Sequence, residues 1–512
     1  MTDRRRPTAD PTADGRPKTA DNLRVGLLSF AFLIFISCFK SEPPPVPRPP
    51  VKASAPLRIV ILHTADLHGR VDRLPSMAAF LVSERARLET AGLRVLHIDS
   101  GDFFQGTPEG DLTHGRVVLD AFNEMRVDAL VPGNHDFDFG PGVTEELARA
   151  ARFPFLAANL RLAGGRGPPE WVRPSLVLPE FRLELLGLVP DAMKRLSTSR
   201  AREGLEFKSA PAALAAHAWA PGVARVVVTH LGIERDRGLP LDGIAAVLGG
   251  HTHVASVETL ANGTILLHPG SHGDSIGRLE FELDPATGAV RSVRGEVVEV
   301  PEGRDARVER IIEDRAGDVR RAMEERIGRL KSDLPRGGPE YDGISSPLGN
   351  HLADLAVKEG DAEAAVILRS SIRSSLFAGP VRRRDLYEAT PFPDTIVSVT
   401  LTGAKLRAAL ERAVADDDRL LVEVAGISMT YDPTAPRGRR LRTLEVAGAA
   451  FDARRRYRIS TLSFMTEPGG LLGGGTEPRD TGLAVLDAHA DFLRAHSPFQ
   501  PQGFQPRIRR TR

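Results

Sequence analysis

From residue 57 to about 298 the chain alternates short apolar runs with longer stretches of helical spacing. The runs are IVIL at 59–62, VLHI at 95–98, ALV at 129–131, VVV at 226–228 and IAAVL at 244–248. Four or so apolar residues, bounded by glycine, proline or polar residues, predict buried strands. Between them LPSMAAFLVSERARLETAG and GVTEELARAARF carry helical periodicity, and the alternation predicts α/β layers. The segment Asp305–Leu330 sets Val308, Ile311, Ile312 and Val319 among charges and predicts an amphipathic helix. It runs into the breaker cluster KSDLPRGGP, which places a domain join at 301–340. A first domain over 57–300 and a second over 341–497, with 498–512 as a tail, fit a chain of 512 residues better than one core would.

Ahead of the first strand, residues 1–38 form a leader. Arg24 precedes the apolar run VGLLSFAFLIFISC, which falls short of the roughly 20 residues of a membrane-spanning helix but suits a signal-peptide core. The run ends on Cys38, the only cysteine, so no disulfide forms within the chain. Residues 39–56 are proline-rich and predict a semi-extended tether. A net charge of +1 gives no steering toward nucleic acid, so the composition points away from that class of partner.

The candidate chemistry sits just beyond the strand-like runs. Asp66 and His68 follow the first, Asp102 the second, Asn134 the third, His230 the fourth, and His251 with His253 the fifth. Ligands in open α/β sheets gather at the carboxyl ends of strands, so one sheet edge could collect all seven. A shared carboxylate, several imidazoles and a neutral oxygen are what two divalent cations about 3.5–4 Å apart require to clamp a phosphate. Zn, Mn and Fe all accept such donors. His63, His97 and His268 lie in or beside apolar runs and are expected in the core or behind the ligands. His272, in PGSHGDSIGRLEF, is given a minor site role.

The ordered motifs D-x-H, G-D, G-N-H-D, T-H and G-H-x-H resemble those of the calcineurin-like metallophosphoesterases, and with the C-terminal half the chain is similar to the 5'-nucleotidase family from residue 57 to about 497. The resemblance implies an N-terminal four-layer β-sandwich flanked by helices and a smaller α+β C-terminal domain. It further implies that Asp66, His68 and His253 hold one metal, that Asn134, His230 and His251 hold the other, and that Asp102 bridges them. His135 would act on the phosphate or leaving group, with Asp138 orienting it. Arg373 takes the position of a nucleotide-contacting arginine, and Phe392 and Phe464 those of two aromatics that sandwich the base. FISC resembles a bacterial lipoprotein box, with Cys38 the lipid-modified residue, an extracytoplasmic location and attachment to a membrane as its consequences.

The departures lie in the C-terminal half. A family turn rich in asparagine and glycine reads Leu368-Arg369-Ser370-Ser371-Ile372-Arg373 here. Leu471 falls near the position of an aspartate that holds ribose, and Asp342 stands where the family has an arginine. These changes touch the substrate and leave the metal chemistry alone. A nucleoside 5'-monophosphate is the first expectation; cyclic 2',3'-nucleotides, nucleotide sugars and sulfur esters are enzyme alternatives, and a ligand-binding module with a vestigial metal site is the non-enzymatic one.

Overall fold

The computed structural model describes residues 55–415, 420–501 and 503–511. The leader, most of the tether and Cys38 lie outside them. Among the described residues no helix is long and apolar enough to cross a membrane.

Two sheets build the N-terminal half. The first has seven strands in the order Val290–Glu299, Ser275–Leu283, Leu57–Thr64, Arg94–Asp99, Ala129–Leu130, Phe155–Leu156, Val172–Arg173. The second has six, in the order Ala255–Thr259, Ile265–Pro269, Ala246–Gly249, Ala224–Thr229, Leu183–Leu188, Ser175–Leu178. Strand periodicity explains their continuous apolar runs. Leu185, Val226, Val228, Leu248 and Leu267 enter the core shared with the first sheet, whereas Leu186, Val227, Val247 and Leu266 enter a separate core with Ala210 and Leu214 of a helix. Both faces of the four central strands, Leu183–Leu188, Ala224–Thr229, Ala246–Gly249 and Ile265–Pro269, are therefore buried. On the outside of the first sheet, Leu74, Met77 and Leu81 of helix Leu74–Thr90 and Val117 and Phe122 of helix Arg116–Glu124 join the same core. The result is the four-layer sandwich, helices outside both sheets.

Strands Leu57–Thr64, Arg94–Asp99 and Ala129–Leu130 run parallel, with Thr64 opposite Asp99 and Asp99 opposite Leu130. Ala224–Thr229 and Ala246–Gly249 are parallel in the second sheet, Thr229 opposite Gly249. All five strands that precede candidate ligands thus end level with their neighbours.

The segment expected as one helix over 305–330 divides. The helix covers Ala306–Met323, capped by Asp305, which accepts from the amides of Arg307 and Val308. Arg326–Leu330 is instead a strand, antiparallel to Gly379–Arg382, and buries Ile327 and Leu330 in the C-terminal core. The expected tail also corrects: Ile508–Arg510 pairs in parallel with Ile427–Tyr431 and completes a four-stranded sheet. A five-stranded sheet carries the rest of the C-terminal half, in the order Val422–Ala425, Ala364–Leu368, Arg456–Leu462, Thr395–Thr402, Thr476–Ala484.

Contacts join the halves. Tyr387 donates to Asp111 at 2.6 Å, Arg384 forms a two-pronged pair with Glu109 at 2.7 and 3.2 Å, and Ser199 donates from N and Oγ to Glu467, both at 3.0 Å.

Phe281 is 1% exposed on the strand next to Leu57–Thr64 and tests the shared core. Phe281→Ala is expected to cost about 3–5 kcal/mol of unfolding free energy, read by denaturant titration.

Candidate metal centre

The ligand-bearing turns are held in uncommon backbone conformations. Asp66, His68, Asp102, His251 and His253 have φ of 53°, 50°, 52°, 80° and 57°. A side-chain-bearing residue held there costs roughly 1–3 kcal/mol, and such strain persists only where surrounding contacts fix it. Those contacts are visible. Asp136, 1% exposed, accepts from the amides of Asp102 and Gly133 at 2.8 Å each and of Phe103 at 3.0 Å. It thereby ties the Gly-Asp turn to the Gly-Asn turn. A Cβ added at Gly133 would fall 2.1 Å from Asp102 Oδ1, so only glycine allows the turns to close this far.

The donors meet in two groups. Asp66, His68 and His253 offer ligand atoms all within 4.8 Å of one another, and Asp102, His230 and His251 do the same. Asp102 reaches toward both: Oδ2 stands 2.9 Å from His230 Nε2 and 3.9 Å from His68 Nε2. His253 Nε2 is 3.6 Å and His230 Nε2 is 3.8 Å from Asp66 Oδ1.

The chemistry of these atoms fits divalent cations. His68 Nδ1 is 2.9 Å from the carbonyl of Gln105 and His230 Nδ1 is 2.5 Å from that of Ser100. A carbonyl only accepts, so each Nδ1 carries the proton and each Nε2 turns a lone pair toward the cluster. The Nε2 atoms of His68 and His253 face one another at 3.0 Å. Asn134 Oδ1 is a buried acceptor with no donor among the described residues, whereas His230 Nε2 faces the Asp102 carboxylate. An orphaned buried acceptor of this kind calls for an occupant.

Burial pushes His68 down to about 3, and His251 and His253 to about 4, which keeps these imidazoles neutral as ligands must be. Burial opposes charge on His230 as well, but Asp102 beside it lifts it to about 10. The proton drawn into that gap stands between two donors where a cation would compete for the same lone pair. His135 differs in kind. Its Nδ1 is 2.6 Å from Asp138 Oδ2; burial works against its charge, yet Asp138 and Asp102 lift it to about 9.

A cleft of about 1280 Å³ opens over the cluster, lined by His68, His253, His272, Arg373 and Phe392 among others. A second pocket of about 390 Å³ adjoins it and takes in His135, Asp138, Arg373, Phe392 and Phe464. Arg373 and Phe392 line both. Sheet register explains the meeting of the two phenylalanines. Ile396 pairs with Leu462, so the residues before one strand and after the other share an edge, and Asp394 fixes it by accepting from Ser463 Oγ at 2.8 Å and Phe464 N at 3.1 Å.

Of the candidate site residues, Asp66, His68, Asp102, His230, His251 and His253 supply the two donor groups, His135, Asp138, Arg373, Phe392 and Phe464 line the smaller pocket, and Asn134 is buried with its Oδ1 unpartnered among the described residues. His63 and His97 are buried, with Nε2 2.7 Å from Ser100 Oγ and 3.0 Å from Thr64 Oγ1, and His268 pairs with Asp236 at 3.0 Å. His272 comes closer than expected: its ring centroid lies 5.5 Å from His253 and 5.9 Å from His68, and its amide donates to Asp66 O at 2.8 Å. Sequence reasoning missed Asp136; the signal was an acid directly after Asn134 and His135, in a turn with amides to satisfy.

Strand-end turns carrying paired His and Asp donors define a calcineurin-like phosphoesterase, and the family model of that description matches residues 59–255. The model for the 5'-nucleotidase C-terminal domain matches residues 326–472, and the chain belongs to the metal-dependent phosphoric ester hydrolases that combine the two. Among curated relatives, Protein UshA of Salmonella pullorum is 24% identical, the match covering 88% of this chain and 93% of that protein. A 5'-nucleotidase precursor from Thermus thermophilus shares the fold at a TM-score of 0.73 and 23% identity, over 88% of this chain and 99% of that one. The Thermus thermophilus sulfate thiohydrolase SoxB does so at 0.69 and 20%, over 88% and 96%.

Asp136→Ala would strand three buried amides. It is expected to destabilise the protein by at least about 2 kcal/mol and to lower bound metal per chain, measured by denaturant titration and elemental analysis.

Proposed function

We propose that the chain hydrolyses nucleoside 5'-monophosphates. The observation that supports this most is the shared wall of Arg373 and Phe392, which joins the donor cluster to a pocket holding Phe464. A phosphate at one end and a base at the other match that layout.

Asp66, His68 and His253 would hold one divalent cation, and Asn134, His230 and His251 the other, with Asp102 shared. When bound, the cations neutralise charge on the phosphate and lower the pKa of an attacking water. The rest of the reaction is carried by side chains. Asn134 is a neutral donor, which keeps the site's total charge open to an anionic substrate. His135, tied through Nδ1 to Asp138, keeps Nε2 free to hold a proton against a phosphate or leaving-group oxygen. Arg373 contacts the nucleotide, and the base stacks between Phe392 and Phe464. A domain join within residues 301–340 is supported by the change there from the helix Ala306–Met323 to the strand Arg326–Leu330.

A panel of nucleoside 5'-monophosphates, cyclic 2',3'-nucleotides, nucleotide sugars and thiosulfate esters tests the reading. Preference for 5'-monophosphates is expected, and turnover confined to another class overturns it. His251→Ala is expected to abolish phosphate release with the fold retained. Phe392→Ala or Phe464→Ala is expected to raise KM by the equivalent of about 1–3 kcal/mol.

The sequence supports a lipid-anchored, extracytoplasmic form modified at Cys38. Cys38→Ser is expected to move the protein from the membrane to the soluble fraction on cell fractionation; an unchanged distribution contradicts the anchor.

A further inference from the structure

The 390 Å³ pocket has a second source of charge, from the N-terminal half. Arg195 and Arg200 line it together with Phe392 and Phe464. Neither guanidinium has a hydrogen-bond or ion-pair partner among the described residues, although each offers five N–H donors. The pocket's carboxylates are already engaged elsewhere: Asp138 with His135, Asp394 with Ser463 and the Phe464 amide, Glu467 with Ser199.

The segment that carries the arginines is fixed at both ends. Met193 and Ala201 are each 0% exposed, Ser197 Oγ donates to Met193 O at 2.8 Å, and Thr198 Oγ1 accepts from the Ala201 amide at 3.2 Å. Between them Ser199 is clamped to Glu467, which closely follows Phe464. Arg200 lies against the turn after Asp138, since a Cβ at Gly140 would stand 3.7 Å from its Nε. Two arginines are thus presented to the aromatic end of the pocket by a docked segment.

We propose that Arg195 and Arg200 form a second anion subsite, and that the preferred substrate is a nucleotide bearing a second phosphate besides the one that is cleaved. The proposal rests on the nucleotide reading above and narrows its substrate class. Planar guanidinium groups bind phosphate oxygens through paired, charge-assisted hydrogen bonds, so two of them discriminate strongly between a phosphate and a hydroxyl.

The test compares kcat/KM of the purified, metal-loaded protein for a nucleoside 5'-monophosphate, the matching 3',5'-bisphosphate and an aryl phosphate. The bisphosphate is expected to be preferred over the monophosphate by at least about tenfold, through KM, which is a difference of about 1.4 kcal/mol. In the double variant Arg195→Gln, Arg200→Gln that ratio is expected to fall to near unity, and the preference of the native protein to weaken with added salt. Equal use of the two nucleotides by the native protein, or a preference that survives the double substitution, overturns the subsite and leaves the nucleotide reading standing. Hydrolysis of the aryl phosphate with neither nucleotide used overturns both. Both arginines are exposed, and an unchanged melting temperature of the variant confirms that the comparison is between folded proteins.

Discussion

One carboxylate holds the site together. Asp102 accepts the His135 amide on Oδ1 at 2.8 Å and turns Oδ2 to His230 at 2.9 Å, so a single side chain joins residues supplied by both sheets. Its own position is set from behind by Asp136, through the amide of Asp102 itself and those of its neighbours. Burying two carboxylates this close is unfavourable unless each is matched by donors or cations. Hydrogen bonds satisfy Asp136. Asp102 depends on the imidazoles around it and on the cations that such donors admit.

Local strain and global topology are linked here. Parallel strands end level with one another, which brings the turns together, and five of the candidate ligands sit in left-handed backbone there. Such conformations cost energy individually. They are tolerated because the turns interlock, as the close approach of Gly133 to Asp102 requires. Some stability is thereby given up for preorganisation, which is where electrostatic catalysis gains most.

Much of this was legible in the sequence. The metal-centre donors follow apolar runs directly, so the local pattern that predicts each strand also predicts where its ligand falls. Long-range features were not legible. Arg326–Leu330 continues the charge pattern of the preceding helix, and only its pairing with Gly379–Arg382 makes it a strand. Ile508–Arg510 is three residues long, too short for a periodicity to show, and exists because Ile427–Tyr431 offers an edge. Asp136 escaped for a similar reason: its partners come from a turn far away in the sequence as well as from its own. Arg195 and Arg200 lie in a segment without any motif, and they matter only through its docking on Glu467.

The central claim is that seven side chains form one two-metal site. Calorimetric titration of metal-free protein with Mn²⁺ or Zn²⁺, with phosphate release followed in parallel, tests it most directly. The account predicts two cations bound per chain and activity that returns only as both sites fill. A single site at saturation, or full activity in protein stripped of metal, would contradict it.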